Sequence, residues 1–294
     1  MAIQNAELGT RAIHRRAVLY RNSLSVLGYV VRCLIAFAFL IPFYWVVITS
    51  LKQSNQVFTD PPQWLPSPVM WSNYAEAFSE TAFPFLRLLR NSLFYVVLST
   101  TGTLLSSLIV AYGFARIEFS GKDLLFGIML STMMLPGIVT LIPTYVLFRT
   151  FGWVGSYIPL IVPAYFSSPF NVFLLRQFLM GIPWDLTDAA KVDGASEFYI
   201  LTKIIVPLVK PALLVVGIFH FMWTWNDFMG PLIYLDNAKQ YPLVLGLSAF
   251  QTQHGAIWNL IMCASVATTL PLIVLFFIAQ RYFIEGVVLT GLKA

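Results

Sequence analysis

Long apolar runs separated by short polar segments dominate this chain. Asp, Glu, Lys and Arg are all absent from residues 33–51, 91–115, 124–148, 150–175 and 240–280. About 20 apolar residues in a helix cross the hydrocarbon core of a bilayer, and runs without alternation do not suit a transmembrane barrel. The pattern therefore predicts an all-α membrane protein with six transmembrane helices, at residues 30–51, 91–115, 124–148, 155–175, 211–233 and 257–280.

The composition agrees with a membrane protein. Of the 294 residues, 58% are hydrophobic and 11% are charged, and the mean hydropathy is +0.77. In a soluble protein about a quarter of the residues are charged. Disordered chains and disulfide-rich secreted domains are excluded by the same numbers. The two cysteines, Cys33 and Cys263, lie inside apolar runs and are expected to be small buried hydrophobic residues.

The charged residues are distributed as expected for a multi-pass membrane protein. With the N-terminus in the cytoplasm, the predicted inside segments hold thirteen Lys and Arg residues and the outside segments hold five. Because cytoplasmic loops carry an excess of positive charge, both termini are expected in the cytoplasm. The net charge of +5 is thereby explained without a nucleic-acid partner.

The expected domain organisation follows the predicted spans. It comprises a cytoplasmic N-terminal segment 1–29, a first transmembrane helix 30–51, an extracytoplasmic loop 52–87, a five-helix core 88–280 and a cytoplasmic tail 281–294. The outside loop cannot be one continuous helix because each proline removes a backbone donor. We expect it to form a folded cap at the membrane surface. Its prolines and tryptophans are Pro61, Pro62, Trp64, Pro66, Pro68 and Trp71.

The predicted cytoplasmic connection 176–210 has the pattern of a helix and a turn followed by a second helix. Asp185 and Asp188 would lie near the positive end of the first helix dipole. Ala189 and Ala190 form helix well, and their small side chains let another surface approach closely. Gly194 can take a positive φ and reverse the chain.

The second helix of this connection is predicted to begin at Ser196 and Glu197, which suit a cap and a first turn. Its apolar residues Phe198, Leu201 and Ile205 are spaced to share one face. A proline pair, Pro207 and Pro211, is expected to end the helix before the next span. From the residues alone, the connection is either an ordinary structured loop or a docking element.

A longer motif favours docking. The string DAA-x3-G-x9-I-x-VP, from Asp188 to Pro207, resembles the EAA loop of ABC-importer permeases, with Asp188 in place of Glu and Val206 in place of Leu. Three further segments make the chain similar to carbohydrate-importer permeases of the maltose-permease type. They are VDGAS, Trp225-Asn226-Asp227-Phe228 and the stretch beginning Gln280-Arg281-Tyr282-Phe283. The resemblance covers nearly the whole chain.

This resemblance implies a type I ABC importer permease fold with 88–280 as its core and a cytoplasmic coupling helix. The docking residues it implies are Asp185, Asp188, Ala189, Ala190, Asp193, Gly194, Phe198 and Pro207. The partners it implies are two ATPase subunits, a second homologous permease subunit and an extracytoplasmic solute-binding protein. ATP and Mg would be bound by the ATPase subunits, and the chain would lie in the cytoplasmic membrane of a prokaryote, in contact with lipid.

No motif for covalent chemistry is present. Gly121-Lys122 is followed by Asp123 and lacks the first glycine of a phosphate-binding loop. There is no His-Glu-x-x-His pattern, no Cys/His cluster and no Gly-x-Ser-x-Gly motif. We therefore expect no enzymatic activity, no bound cofactor and no metal site in this chain.

The end of the predicted fifth span carries polar and aromatic residues. Trp223, Trp225, Asn226 and Asp227 would combine rings that stack on a pyranose with groups that bind hydroxyls, as in a sugar path. They could equally form an aromatic belt at the outer interface. The deeper His220 is expected to form a hydrogen bond with a neighbouring helix.

Two further segments have roles implied by the resemblance. Gln251, Thr252 and Gln253 would contact the binding protein, with a plain polar turn as the alternative. Residues 290–294 would reach toward the ATPase subunits. The chain is thus predicted to be the permease subunit of an ATP-driven importer of a di- or oligosaccharide or related polyol. The alternative is a secondary transporter driven by an ion gradient, which needs an intramembrane carboxylate relay.

Overall fold

The computed structural model describes residues 2–79, 83–254 and 257–291, with side chains described for 25–79, 83–252 and 257–280. Within these ranges the chain is helical and contains no strand. The α-helices are α1 (Ala2–Ser50), α2 (Ser72–Ala77), α3 (Phe85–Arg116), α4 (Lys122–Ser131), α5 (Gly137–Thr150), α6 (Ile158–Ile161), α7 (Pro169–Met180), α8 (Asp185–Val192), α9 (Glu197–Tyr199), α10 (Val206–Trp225), α11 (Met229–Tyr234), α12 (Leu243–His254) and α13 (Trp258–Gly291).

Membrane-spanning length is reached by five helical segments in the described residues. They are Ser25–Ser50, Phe85–Arg116, Ile158–Met180, Glu197–Trp225 and Trp258–Gln280. A further pair, Lys122–Met134 and Gly137–Thr150, is apolar enough to span but bends by 99° at its break. Counting the bent pair as one span gives the six that the sequence predicts.

The third span, predicted at 124–148, is broken at Pro136. Pro136 precedes α5 with an extended backbone, φ −60° and ψ 132°. Proline cannot donate to a helix ladder, and its ring pushes the preceding residue out of the helical region. Leu135 accordingly has ψ 116°. The chain therefore changes direction at this pair.

The fifth span begins earlier than predicted and also ends earlier. Helix α9 continues through a π-helical segment, Ile200–Ile205, directly into α10. The prediction that Pro207 and Pro211 terminate a separate helix is therefore wrong. Pro207 directly follows the π-helical segment and Pro211 lies one turn later, both inside the continuous helical segment Glu197–Trp225. The span ends at Trp225 and not at residue 233.

Residues 75–256 and 267–294 form one of two compact units, with a core built around α3. Its apolar face packs against α7 and α10. The fully buried side chains of this core include Ala111 of α3, Leu175 and Leu179 of α7, and Ala212 and Val216 of α10. Because α3 contacts both other spans, it is the central helix of this unit.

Two small residues of α3, Gly102 and Ser106, allow close contact with the segment 162–166. Ser106 donates a hydrogen bond to the carbonyl of Ala164, 3.1 Å away. The ring of Tyr165 lies against Gly102, where a Cβ would be only 2.5 Å from the nearest ring atom. At Gly113 a Cβ would meet nothing within 4 Å.

Gly102→Ala is expected to lower the thermal stability of the protein in mild detergent. The Tyr165 ring must shift to admit the new methyl group, and such overpacking costs about 1–3 kcal/mol. Gly113→Ala is the matched control, since it adds the same methyl group to open space on the same helix. Equal unfolding midpoints for the two variants would contradict the close packing of Tyr165 on α3.

The second compact unit comprises residues 1–74 and 257–266. Its proline-containing segment is irregular apart from short helices, as the prolines predict. Asn73 stabilises it by donating hydrogen bonds to the carbonyls of Ser50 and Lys52, both at 2.8 Å. Burial lowers the pKa of Lys52, whose Nζ lies 4.2 Å from the centre of the Trp45 ring.

The cysteine prediction holds for only one residue. Cys263 is buried, but Cys33 is exposed on α1. An apolar run in a membrane helix does not separate positions that face lipid from positions that face protein. The prediction of burial for Cys33 is therefore wrong.

Candidate functional site

Helix α8 begins where the sequence predicts a helix, and its acidic residues lie in the first turn. Asp185 and Asp188 are both exposed there. The helix starts after Trp184, whose carbonyl accepts hydrogen bonds from the backbone of Thr187 and Asp188 at 2.8 and 3.0 Å. Negative side chains at this end are favoured by the helix dipole.

The two alanines of α8 face in opposite directions. Ala189 is exposed, whereas Ala190 is 8% exposed and packs in the core with residues of α3, α7 and α10. Thr187 is also fully buried on this face. Ala190 therefore cannot be offered to a partner, which corrects its assignment as a docking residue. Asp188 and Ala189 remain on the open face.

A glycine turn closes α8. Gly194 has φ 79°, a conformation that glycine adopts without strain. Its backbone N–H bonds to the carbonyl of Lys191 at 3.0 Å, and the N–H of Ala195 bonds to the carbonyl of Ala190 at 2.9 Å. This pair of bonds is the Schellman motif, with Asp193 as the exposed C-cap residue. The predicted turn is confirmed.

The start of α9 follows the predicted cap. The Ser196 hydroxyl accepts a hydrogen bond from the backbone of Tyr199 at 3.3 Å. Leu201 and Ile205 are buried, but Phe198 is 76% exposed, so the prediction of one shared apolar face is wrong for Phe198. The π-helical segment that begins at Ile200 adds a residue to the turn and thereby changes which positions face inward.

The open side of α8 and α9 combines apolar and acidic groups. Large apolar side chains are exposed beside Asp185, Asp188 and Asp193; they are Trp184, Leu186, Val192 and Phe198. Pro207 is also exposed, at the start of α10. We call the set Asp185, Leu186, Asp188, Ala189, Val192, Asp193 and Phe198 the α8 surface. Exposed apolar groups rimmed by charges are typical of a protein-binding surface.

Side chains of α3 bond to the segments that precede and follow α8. The Tyr112 hydroxyl donates to Glu197 Oε2 at 2.6 Å, and Lys191 Nζ is 2.8 Å from Glu197 Oε1. Arg116 donates to the carbonyls of Leu179 and Ile182. Neither Tyr112 nor Arg116 is among the residues that the sequence predicts for this site. The available signal was a tyrosine and an arginine four residues apart at the end of an apolar run.

A second candidate site is a groove of about 660 Å³ where α10 ends. It is lined by Phe219, Met222, Trp223, Asn226, Asp227, Phe228 and Met229. The structure thus places Trp223, Asn226 and Asp227 together. Trp225 is 3% exposed and donates from Nε1 to the carbonyl of Thr268 at 3.4 Å. Trp225 faces the packed interior, so its assignment to the path is wrong.

Asp227 lies beyond the end of α10 and not within a span. Its Oδ2 accepts a hydrogen bond from the Tyr95 hydroxyl at 2.8 Å, and its Oδ1 accepts one from the backbone of Gly230 at 3.0 Å. Asn226 donates to the carbonyl of Met222 at 2.8 Å, and its amide group is exposed in the groove. The carboxylate of Asp227 is therefore held in place by α3 and α11. The exposed side chains of Trp223 and Asn226 beside it can contact a solute in the groove.

His220 bonds to a neighbouring helix, as predicted. Its Nε2 is 2.8 Å from the Ser99 hydroxyl and 3.2 Å from that of Thr103. Both hydroxyls belong to α3. His220 therefore joins α10 to α3.

The segment that contains Gln251, Thr252 and Gln253 is a packed helix, α12. Leu243 and Phe250 are buried, and the backbone of Leu243 donates to the Ser92 hydroxyl at 2.7 Å. The alternative of a plain polar turn is therefore wrong. Gln251 and Thr252 are exposed on this helix. The side chain of Gln253, like the predicted tail contact at 290–294, lies outside the described side chains.

Comparison with known protein families decides the class. Residues 102–288 match the family described as "Binding-protein-dependent transport system inner membrane component". The chain belongs to this family. The matched region includes α8, its glycine turn and the groove, so both candidate sites of the permease lie within the family domain.

Relatives of this permease belong to carbohydrate systems. It is 32% identical over 267 residues to the arabinooligosaccharides transport system permease protein AraQ of Bacillus subtilis, covering 88% of this chain and 92% of the relative. It is 30% identical over 285 residues to the trehalose/maltose transport system permease protein MalG of Thermococcus litoralis, covering 95% and 99%. Both alignments span nearly the whole permease.

A solved structure supports the fold. A chain of a bacterial ABC transporter involved in the import of the acidic polysaccharide alginate matches with a TM-score of 0.77 and 21% identity, covering 88% of this chain and 96% of that one. Within its described residues, the permease holds no group of three or more His, Cys, Asp or Glu placed to bind a metal. It is a multi-pass membrane transport subunit of a binding-protein-dependent system.

Proposed function

We propose that this permease moves a carbohydrate or related polyol across the cytoplasmic membrane of a prokaryote, powered by separate ATPase subunits. The observation that carries the proposal is the α8 surface, a rigid element with an exposed acidic and apolar face on a chain of the permease family. Its partners are two ATPase subunits that bind ATP and Mg, a second homologous permease and an extracytoplasmic solute-binding protein. Both termini and the α8 surface lie on the cytoplasmic side.

The α8 surface suits docking into a cleft. Asp188 and Ala189 are adjacent on the exposed face, and the internal bonds of Gly194 and Ala195 hold the helix end. A preorganised surface loses little conformational entropy when it binds. The small side chain of Ala189 allows close backbone approach, while Asp188 offers its charge to a basic group of the ATPase.

The sugar class follows from the relatives and suits the groove. The printed names of two relatives give arabinooligosaccharides and trehalose/maltose as cargo. Trp223 is 79% exposed beside Asn226 and Asp227. An exposed ring can stack on the apolar face of a pyranose while the amide group binds a hydroxyl. These groups support the groove as a site that the sugar contacts on its path through the permease.

The exposed face of α12 is proposed as the contact for the solute-binding protein. Gln251 and Thr252 are exposed polar residues on a helix that is anchored by buried Leu243 and Phe250. Together with Gln253, they would form the contact. A solved alginate transporter complex, which matches this fold with a TM-score of 0.58, includes a periplasmic protein.

An ion-gradient mechanism receives no support from the structure. It needs a carboxylate relay inside the membrane, but Asp227 lies beyond the helix end and is bonded to Tyr95 and Gly230.

The proposed ATP-driven function is tested by purifying the tagged permease in mild detergent. An ATPase, a second permease and a solute-binding protein should co-purify. Sugar accumulation by liposomes that contain this chain alone would contradict it.

Trp223→Ala is expected to raise the sugar concentration that gives half-maximal uptake about tenfold, equivalent to about 1.4 kcal/mol of lost binding. Uptake of radiolabelled maltose and arabinotriose by proteoliposomes of the assembled transporter measures it. Trp71→Ala is the matched control, because Trp71 is 70% exposed but lies outside the groove lining. An unchanged half-maximal concentration for Trp223→Ala would remove the groove from the sugar path.

A further inference from the structure

Arg116 bonds to the chain that leads into α8. Arg116, the last residue of α3, is 3% exposed. Its Nη2 donates to the carbonyl of Leu179 at 2.6 Å and to that of Ile182 at 2.5 Å. Its guanidinium carbon lies 4.6 Å from the centre of the Trp184 ring. The planar group therefore bonds to the end of α7 and stacks on the residue before α8.

The chain that leaves α8 is held by a residue one turn earlier on the same helix. Tyr112 is 4% exposed, and its hydroxyl donates to Glu197 Oε2 at 2.6 Å. The other oxygen of Glu197 pairs with Lys191, the penultimate residue of α8, at 2.8 Å. Tyr112 is thus bonded to the first residue of α9 and, through it, to the end of α8.

Tyr112 and Arg116 lie four residues apart, so they share one face of α3. The α8 segment is connected to α7 and to α9–α10 by the backbone itself. Side chains also link this segment to α3 directly: these two residues bond to its flanks, and Ala190 packs against the core. A displacement of α8 therefore reaches α7 and α10 through the backbone. It reaches α3 both through the packing of α3 on α7 and α10 and through these direct contacts.

We propose that Tyr112 and Arg116 are positioning residues that make the central helix α3 move together with α8 when an ATPase displaces the α8 surface. The inference rests on the proposed function and adds to it the residues that transmit the motion. The geometry suits such a role because the bonds are short and because Tyr112 and Arg116 are themselves buried, at 4% and 3% exposed. Hydrogen bonds to a charged acceptor are also stronger than neutral ones.

Tyr112→Phe tests the inference with the loss of one hydroxyl group. The assembled transporter is placed in liposomes, and uptake of radiolabelled maltose and arabinotriose is measured with ATP hydrolysis in the same sample. The number of sugars moved per ATP hydrolysed is expected to fall about tenfold, the effect of losing one hydrogen bond to a charged group. The hydrolysis rate and the yield of complex should remain. Tyr199→Phe is the matched control, since its ring is 54% exposed on α9.

Two more variants separate the contacts. Glu197→Gln keeps an acceptor for Tyr112 and removes the charge that pairs with Lys191, so it should retain more coupling than Tyr112→Phe. Arg116→Lys keeps the positive charge but cannot both bond to two carbonyls and stack on Trp184, so it should uncouple as Tyr112→Phe does. Each variant is compared with wild type directly, so no compensating substitution for Arg116→Lys is needed.

The outcomes distinguish this inference from the proposed function. Equal sugar-to-ATP ratios for wild type, Tyr112→Phe and Arg116→Lys would overturn it. A parallel loss of hydrolysis, uptake and complex yield would also overturn it, because the residues would then serve only folding. If Ala189→Trp on the α8 surface blocks uptake while Tyr112→Phe has no effect, the proposed function stands and this inference alone fails. If Ala189→Trp has no effect, the proposed function itself fails.

Discussion

Replacing Ala189 by tryptophan is expected to abolish sugar uptake while the permease still folds and inserts into the membrane. Ala189 is exposed beside Asp188, so the indole adds bulk to the open face of α8 without entering the protein core. A clash that costs about 3 kcal/mol weakens docking by about 100-fold. Uptake by cells, together with co-purification of the ATPase in detergent, measures the effect.

Two matched substitutions serve as controls for Ala189→Trp. Ala238→Trp places the same ring on an exposed alanine outside α8 and should leave uptake intact. Ala190→Trp should instead lower the thermal stability of the permease, because Ala190 packs in the core and is 8% exposed. Overpacking of this kind costs about 1–3 kcal/mol or more. Normal ATPase binding and uptake by Ala189→Trp would contradict docking through the α8 surface.

Gly194→Pro is the second substitution expected to abolish uptake. Proline fixes φ near about −65°, whereas Gly194 has φ 79°. Proline also lacks the N–H that Gly194 donates to the carbonyl of Lys191 at 3.0 Å. The turn after α8 must then be rebuilt, which displaces the acidic and apolar groups of the α8 surface. ATP hydrolysis stimulated by the binding protein should be lost together with uptake.

Gly194→Asn is the control for this position. Asparagine adopts the left-handed region more readily than other non-glycine residues and keeps the N–H. A Cβ at residue 194 would meet nothing within 4 Å, so the side chain itself is accommodated. Most uptake should therefore remain in Gly194→Asn. Loss of uptake in both variants to the same extent would show that the backbone conformation is not the property that matters.

The local structure around α8 was largely readable from its residues. Gly194 predicted the reversal and Ser196 predicted the following cap, and both occur. These signals are local: a positive φ needs glycine, and a cap needs a hydroxyl at one position. The prolines were harder to interpret. Pro136 breaks the third span, whereas Pro207 and Pro211 lie in a helix that continues.

The proline outcomes differ because the backbone adjusts differently around each proline. In a membrane helix a local π-helical adjustment can satisfy the backbone groups that a proline leaves free, and Pro207 directly follows such a segment, so the helix continues into α10. At Pro136 the chain instead leaves the helical region at the preceding residue.

Composition, charge distribution and one spaced motif were enough to establish a multi-pass helical protein of the permease family, since the bilayer demands long apolar helices and the motif depends on local geometry. Folding was needed to show that Ala190 and Trp225 are buried while Ala189 and Trp223 are exposed. Lipid is as apolar as a protein core, so hydropathy along a membrane helix does not reveal which side faces the protein. Which side faces the protein is decided only when the helices pack, and so are the bonds of Tyr112 and Arg116 to the segments before and after α8.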